Sequence, residues 1–229
     1  MEYRNELKYI CKDTQLMLLQ GRLDGLMDLD ENLEEDGYYN IRSIYFDDIY
    51  DYCMNENEAG YDDRLKMRIR IYNHSSNLIK LELKYKKSGF TKKKACTISR
   101  GLCEKLMAGE QIAYEDTMNH PVLNLLYIYS HNKVLAPKVI VEYDRRVYVN
   151  DTGNVRVTFD KNIRCSKDIE RFFEENIYPV PVMEQGEHVL EVKYDELLPD
   201  YIAQALELGA LRQTAFSKYY LSRLQIGDY

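Results

Sequence analysis

Charged and apolar residues alternate strictly in the stretch DDRLKMRIRIY, where Arg64, Lys66, Arg68 and Arg70 interleave with Leu65, Met67, Ile69 and Ile71. In an extended chain successive side chains point to opposite faces, so residues 62–72 are predicted to form a strand with four cations on one face. Seven further segments read as strands. Residues 3–12 set Arg4, Glu6 and Lys8 against Asn5, Leu7 and Tyr9, and residues 38–48 are rich in Tyr and Ile. Residues 77–87 set Lys80, Glu82, Lys84 and Lys86 against Ile79, Leu81, Leu83 and Tyr85, and 92–99 return with Lys92 and Lys94 expected in the same charged phase. Residues 137–149 and 154–164, joined by the run NDTG, form a predicted hairpin, and 188–196 put Glu191 and Lys193 on one face. Helical spacing follows the first strand at Leu16, Leu19, Leu23 and Leu26, fills most of 100–132, and returns after Pro199 and over 216–224. Residues 50–60 read as a loop that ends at Gly60.

The pattern is that of an α+β protein: mostly short connections join the strands, which makes an antiparallel meander the economical architecture. With 229 residues and no linker-like composition, a single domain over residues 1–229 is expected. The formal net charge is −7, which argues against a general basic surface for nucleic acid, so any anion site must be a local concentration of cations. No run approaches the roughly 20 apolar residues that span a bilayer, and MEYRNELKY lacks the apolar core of a signal peptide. A soluble cytoplasmic protein without direct membrane insertion is the expectation. Five cysteines without a CxxC pair and four scattered histidines point to neither a disulfide framework nor a zinc or histidine metal site.

What singles out the polar face is its composition. Lys8, Arg64, Lys66, Arg68, Arg70, Lys84, Lys86, Lys94, Arg156 and Lys193 recur in an acidic protein, with Glu6, Glu82 and Glu191 interleaved. In an open sheet such a face would simply be wet. In a closed barrel of eight strands it would line an interior just wide enough for a slender ligand. Polyphosphate ligands need divalent metal, and Mg²⁺ or Mn²⁺ prefers carboxylate and phosphate oxygen, which gives the glutamates a use. The alternative is that they form ion pairs with cross-strand lysines and arginines.

The blocks RNELKY, RLKMRIRIY, LELKYKK, VEYDRRVYV, VRVTFD, VLEVKYDE and FSKYYLSR follow one another over almost the whole chain. In that order they resemble the polyphosphate polymerase domain of the vacuolar transporter chaperone (VTC) family, a branch of the triphosphate tunnel metalloenzymes with a CYTH-like fold. The resemblance implies an eight-stranded antiparallel tunnel barrel with helices packed on its outside. In it the γ-phosphate of ATP passes to a growing inorganic polyphosphate chain, with Mn²⁺ or Mg²⁺ bound. Lys8, Arg68, Arg70, Lys84, Lys94, Arg145, Arg156 and Lys218 are the implied phosphate contacts, and Glu191 is the implied metal ligand. Tyr143, in phase with Arg145, and Ser217, beside Lys218 on the final helix, join them. Glu6, Arg64, Lys66, Lys86 and Lys193 complete the expected substrate-binding set.

Two departures bear on this resemblance. Hydrolase and cyclase branches of the superfamily open with Glu-x-Glu-x-Lys, whereas Arg4 stands in the first position here, which favours the polymerase branch. Eukaryotic polymerases resemble KFSK near the C-terminus, whereas Ala215 precedes Phe216 here and one expected cation is missing. The regulatory inositol-phosphate-sensing domain and membrane segments of the eukaryotic complex are also missing, so transport coupled to synthesis is not expected of this polypeptide alone, and a separately encoded protein partner is compatible with it. Two other readings use the same face. A triphosphatase would replace the acceptor phosphate with a metal-bound water, and a non-catalytic polyphosphate-binding module would need the cations but not Glu191.

Overall fold

A computed structural model of the protein describes residues 5–58, 64–87 and 90–227. Eight long strands are present: β1 (Asn5–Lys12), β3 (Tyr39–Asp47), β4 (Arg64–Tyr72), β5 (Ser75–Lys87), β6 (Phe90–Thr97), β7 (Ala136–Asn150), β8 (Val155–Ser166) and β10 (Glu187–Tyr194). Three two-residue strands, β2 (Asp28–Leu29), β9 (Val180–Pro181) and β11 (Arg212–Gln213), bring the sheet to eleven rather than the expected eight. Two residues cannot display a period of two, so no alternation announces them. The strand order is β11-β1-β10-β8-β7-β3-β4-β5-β6, with β2 on β7 and β9 on β8. Among the described residues no strand pairing closes the sheet into the expected barrel: β6 and β11 are the ends of this order, and β11 occupies the outer edge of β1 at Tyr9 and Ile10.

Among the described residues six α-helices accompany the sheet: α1 (Asp13–Leu23), α2 (Tyr52–Glu58), α3 (Arg100–Met107), α4 (Pro121–Lys133), α5 (Asp200–Leu206) and α6 (Lys218–Ile226). α2 falls where the sequence reads as a loop. Its first amides are satisfied from the end of β3, where Asp47 accepts from the backbone N–H of Cys53 and Met54. α3 starts where its sequence says, with the Ser99 hydroxyl accepting from the Leu102 amide at 3.2 Å. No helix among the described residues is long and apolar enough to cross a membrane.

The chain forms two compact units. The first comprises Met1–Asn40, Tyr143–Ile163 and Pro181–Ser217. Here Tyr9, Val157, Phe159, Leu190 and Val192 from one face of β1, β8 and β10 pack with Leu16, Leu19 and Leu23 of α1 and Ile202 and Leu206 of α5. The β7–β8 turn of this unit requires glycine, because Gly153 sits at φ +73° and a Cβ there would lie 2.5 Å from the Leu197 carbonyl oxygen. The second unit comprises Ile41–Glu142, Arg164–Val180 and Lys218–Tyr229. Ile44, Met67, Ile69, Leu81 and Leu83 pack there with Cys103 and Leu106 of α3 and Val122, Leu123 and Leu126 of α4. In each unit the helices cover the apolar side of the strands, which leaves the charged phase for other work.

Candidate functional site

In the first unit, the antiparallel register of β1, β10 and β8 arranges the charged phase in rows. Glu6, Lys193 and Arg156 form one row, Lys8, Glu191 and Thr158 the next, and Ile10, Val189 and Asp160 a third. Glu191 is only 6% exposed. One of its carboxylate oxygens lies 2.5 Å from the Lys193 ammonium and the other 3.8 Å from that of Lys8. Glu6 touches the same two lysines, at 2.8 Å to Lys8 and 3.7 Å to Lys193. Lys8 also donates to the Phe216 carbonyl at 3.2 Å.

Arg145 donates from Nε and Nη2 to the two oxygens of the fully buried Asp160, at 2.6 and 2.7 Å, and its guanidinium lies 5.2 Å from the Tyr143 ring centroid. Burial works against its charge, but Asp160, Tyr143 and Glu191 more than offset this and raise its pKa well above the ordinary arginine value. Arg156 donates to Asp30 at 2.9 Å. Among the described residues no group of three or more His, Cys, Asp or Glu side chains could hold a metal ion. The carboxylates that a metal beside these lysines would meet are those of Glu191 and Glu6. That fits Mg²⁺ or Mn²⁺, which are held by one or two carboxylates and complete their shell with water and substrate phosphates, and does not fit a caged zinc site.

In the second unit the rows run across β3, β4, β5 and β6: Ser43, Arg70, Lys80 and Thr97, then Tyr45, Arg68, Glu82 and Ala95, then Lys66, Lys84 and Lys93 across β4 to β6. Arg68 donates from Nε to Glu82 at 2.5 Å and from Nη1 to the Tyr45 hydroxyl at 3.0 Å, while Lys93 pairs with the other Glu82 oxygen. Arg70, almost fully buried, donates to Ser43 Oγ at 3.3 Å. Burial would raise the pKa of Glu82, yet Arg68, Arg70 and Lys93 hold it well below the usual carboxylate range. Lys66, Lys84 and Lys93 stand directly across from one another in the third row, and Lys93 is paired with Glu82.

Helix α6 is seated on this unit through Tyr219. Its ring stacks on Tyr45 at 5.3 Å between centroids, its hydroxyl donates to the buried Asp47 at 2.6 Å, and it accepts from Arg223 at 2.9 Å. Arg223 in turn grips both oxygens of Asp51 at 2.9 and 3.0 Å. Lys218, the first residue of α6, thereby adds its charge to that felt by Tyr45. Burial favours the neutral phenol of Tyr45, but Arg68, Arg70 and Lys218 outweigh it and lower the pKa to about 8.

Ionisation of Tyr45 near pH 8 is accordingly expected in the difference between the phenolate absorbance of wild type and Tyr45→Phe. Because the folded pKa lies below the unfolded value of about 10, the stability contributed by ionised Tyr45 is complete above that pH and is lost as pH falls through the folded value. If triphosphate binds these cations, saturating triphosphate is expected to move the ionisation upward. An ionisation at the unfolded value, insensitive to triphosphate, would contradict this account of the cluster.

The structure thus places Glu6, Lys8, Arg145, Tyr143, Arg156, Glu191 and Lys193 in the first unit, and Lys66, Arg68, Arg70, Lys84 and Lys218 in the second. Lys94 is a correction. It lies opposite Leu83, in the apolar phase, and Lys93 is the residue opposite Lys84. Pairing across the β5–β6 hairpin sets that phase, and a one-residue difference in register moves every side chain to the other face. Ser217 directly precedes α6 rather than lying on it. The side chains of Arg64, Lys86 and Lys92 lie outside the described residues. Asp160, Asp30, Thr158, Tyr45, Ser43 and Lys93 were not among the expected site residues. Of these, Thr158 and Asp160 carried a signal, since they follow Arg156 at intervals of two in VRVTFD.

An antiparallel sheet whose apolar side packs on helices in each unit, and whose other side carries cations and buried carboxylates, defines an α+β class. Within that class, the VTC domain model matches residues 3–226, and the chain belongs to that family. No curated protein matches it by sequence. Among solved structures it is similar to a Bacillus halodurans protein whose adenylate cyclase designation is provisional, at TM-score 0.53 and 12% identity over 95% of this chain and 94% of that one. It is also similar to a Pyrococcus horikoshii OT3 protein, at TM-score 0.48 and 16% identity over 96% and 97%. Family membership and the first of these likenesses support a triphosphate tunnel fold.

Proposed function

We propose that this chain is a metal-dependent phosphotransferase of the polyphosphate polymerase type, which moves the γ-phosphate of ATP onto a growing inorganic polyphosphate chain. The observation that carries the reading is the row Lys8, Glu191 and Thr158, in which a carboxylate with 6% exposure is set among cations on the face opposite the helix-packed core. A buried carboxylate amid lysines suits a site where metal and phosphate arrive together. Family membership supports the same class.

In this reading Lys8, Arg145, Arg156 and Lys193 of the first unit and Lys66, Arg68, Arg70, Lys84, Lys93 and Lys218 of the second take phosphate oxygens. Tyr143 orients Arg145, and Ser217 lies beside Lys218. Glu191, with Glu6 beside it, would hold Mg²⁺ or Mn²⁺, which would supply neutralisation of charge at the reacting phosphate. In-line attack by a terminal phosphate oxygen of the acceptor needs no protein nucleophile. Positioning and charge stabilisation supply most of the rate. The cations also offset repulsion between two polyanions.

Arg68→Ala is expected to weaken tripolyphosphate binding by about 1.5–3 kcal/mol in a calorimetric titration, as for loss of a charge-assisted hydrogen bond. The variant is expected to fold, with some loss of melting temperature, since the buried Glu82 loses Arg68 but keeps Lys93 as a partner. The function itself is tested by phosphorus NMR of ATP incubated with the protein and Mg²⁺. Growth of internal-phosphate signals supports the polymerase and growth of orthophosphate alone supports a triphosphatase. No turnover with retained tripolyphosphate binding supports a binding module.

A further inference from the structure

Thr158 differs from the other polar side chains of its face. It is 2% exposed, and its hydroxyl oxygen is buried without a hydrogen-bond partner. A hydroxyl left in that condition is costly, and valine would fill the same space on a strand without the cost. Thr158 stands directly opposite Glu191, with Arg156 and Asp160 two residues away on the same face of β8. Glu191 is meanwhile engaged by Lys193 at 2.5 Å and, on its other oxygen, by Lys8 at 3.8 Å. A divalent cation at Glu191 would repel both ammonium groups and leave the carboxylate in need of a neutral donor to fix its orientation.

We propose that Thr158 is a positioning residue for Glu191: when metal is bound, its hydroxyl donates to the glutamate and decides how the carboxylate presents its oxygens to the cation. The proposal rests on the reading of Glu191 as metal ligand. Such an outer partner costs nothing to the cation's own coordination, and losing one typically weakens metal affinity by about 10–100-fold.

The test is Mn²⁺ binding to the full chain, read from the electron paramagnetic resonance signal of free Mn²⁺, with and without tripolyphosphate, for wild type, Thr158→Val, Thr158→Ser and Glu191→Gln. Thr158→Val is expected to bind Mn²⁺ about 10–100-fold more weakly while its metal-free melting temperature stays level or rises, and Thr158→Ser is expected to restore affinity. If Thr158→Val binds like wild type while Glu191→Gln does not, the positioning role is wrong and the metal reading stands. If Glu191→Gln also binds like wild type, both are wrong. Should valine lower the metal-free melting temperature, Thr158→Ala against Thr158→Ser reads the hydroxyl instead: weaker binding in alanine alone supports the role, and equal binding overturns it.

Discussion

Glu191→Gln is expected to lower ATP turnover on the order of 10²–10³-fold while leaving metal-free tripolyphosphate affinity unchanged or slightly tighter. Glutamine keeps the shape and hydrogen-bonding reach of the side chain but removes its charge. Lys8 and Lys193 retain Glu6 as a partner, at 2.8 and 3.7 Å, so the local structure has little reason to collapse. What is lost is the one buried carboxylate of the row Lys8, Glu191 and Thr158. In the proposed reading that carboxylate would anchor the divalent cation. Steady-state kinetics alongside calorimetry separate the two effects. Wild-type turnover in this variant would remove Glu191 from the chemistry.

Arg42→Met is expected to lower the unfolding free energy by about 3–5 kcal/mol, measured by denaturant titration, because it breaks a buried ion pair from one side. Arg42 is fully buried in the second unit. Its Nε donates to Glu142 at 2.7 Å, and its two terminal nitrogens reach the carbonyls of Phe172, Glu174 and Glu175. Methionine leaves three carbonyls and a carboxylate short of donors. Burial would raise the pKa of Glu142, but His74, Arg164 and Arg42 bring it down to about 2. A depressed folded pKa contributes stability that is complete above the unfolded value and lost as pH falls through the folded one. Without Arg42 the folded value rises, so acid unfolding of the variant is expected to begin at higher pH. A loss below about 1 kcal/mol, the range of an exposed pair, would contradict the role assigned to Arg42.

The charged face was legible wherever a long strand carried its own alternation. β1, β4, β5 and β10 each show it over several residues, and their apolar phases are the ones that meet the helices. Lys94 was misplaced for a different reason: its phase depends on how β6 pairs with β5, a relation between strands that periodicity within β6 cannot carry. Arg42 escaped notice because it shares the phase of Ile44 and Phe46, the apolar side of β3, and is stabilised there by Glu142, one hundred residues away. α2 lacks an apolar stripe and takes its cap from the end of a strand, so nothing in its own seven residues marks it. Alternation marked Lys8, Lys66, Arg68, Arg70, Lys84, Arg156 and Lys193, the family resemblance added Arg145 and Lys218, and Asp30 declares itself only through its contact with Arg156.

The most direct test of the account is to supply an end-labelled short polyphosphate together with ATP and Mn²⁺ and to follow the labelled chain by electrophoresis while ADP is counted. The account predicts that the labelled chain lengthens, with one phosphate added for each ADP formed. A labelled chain of constant or falling length, with ATP turned only into ADP and orthophosphate, would contradict it.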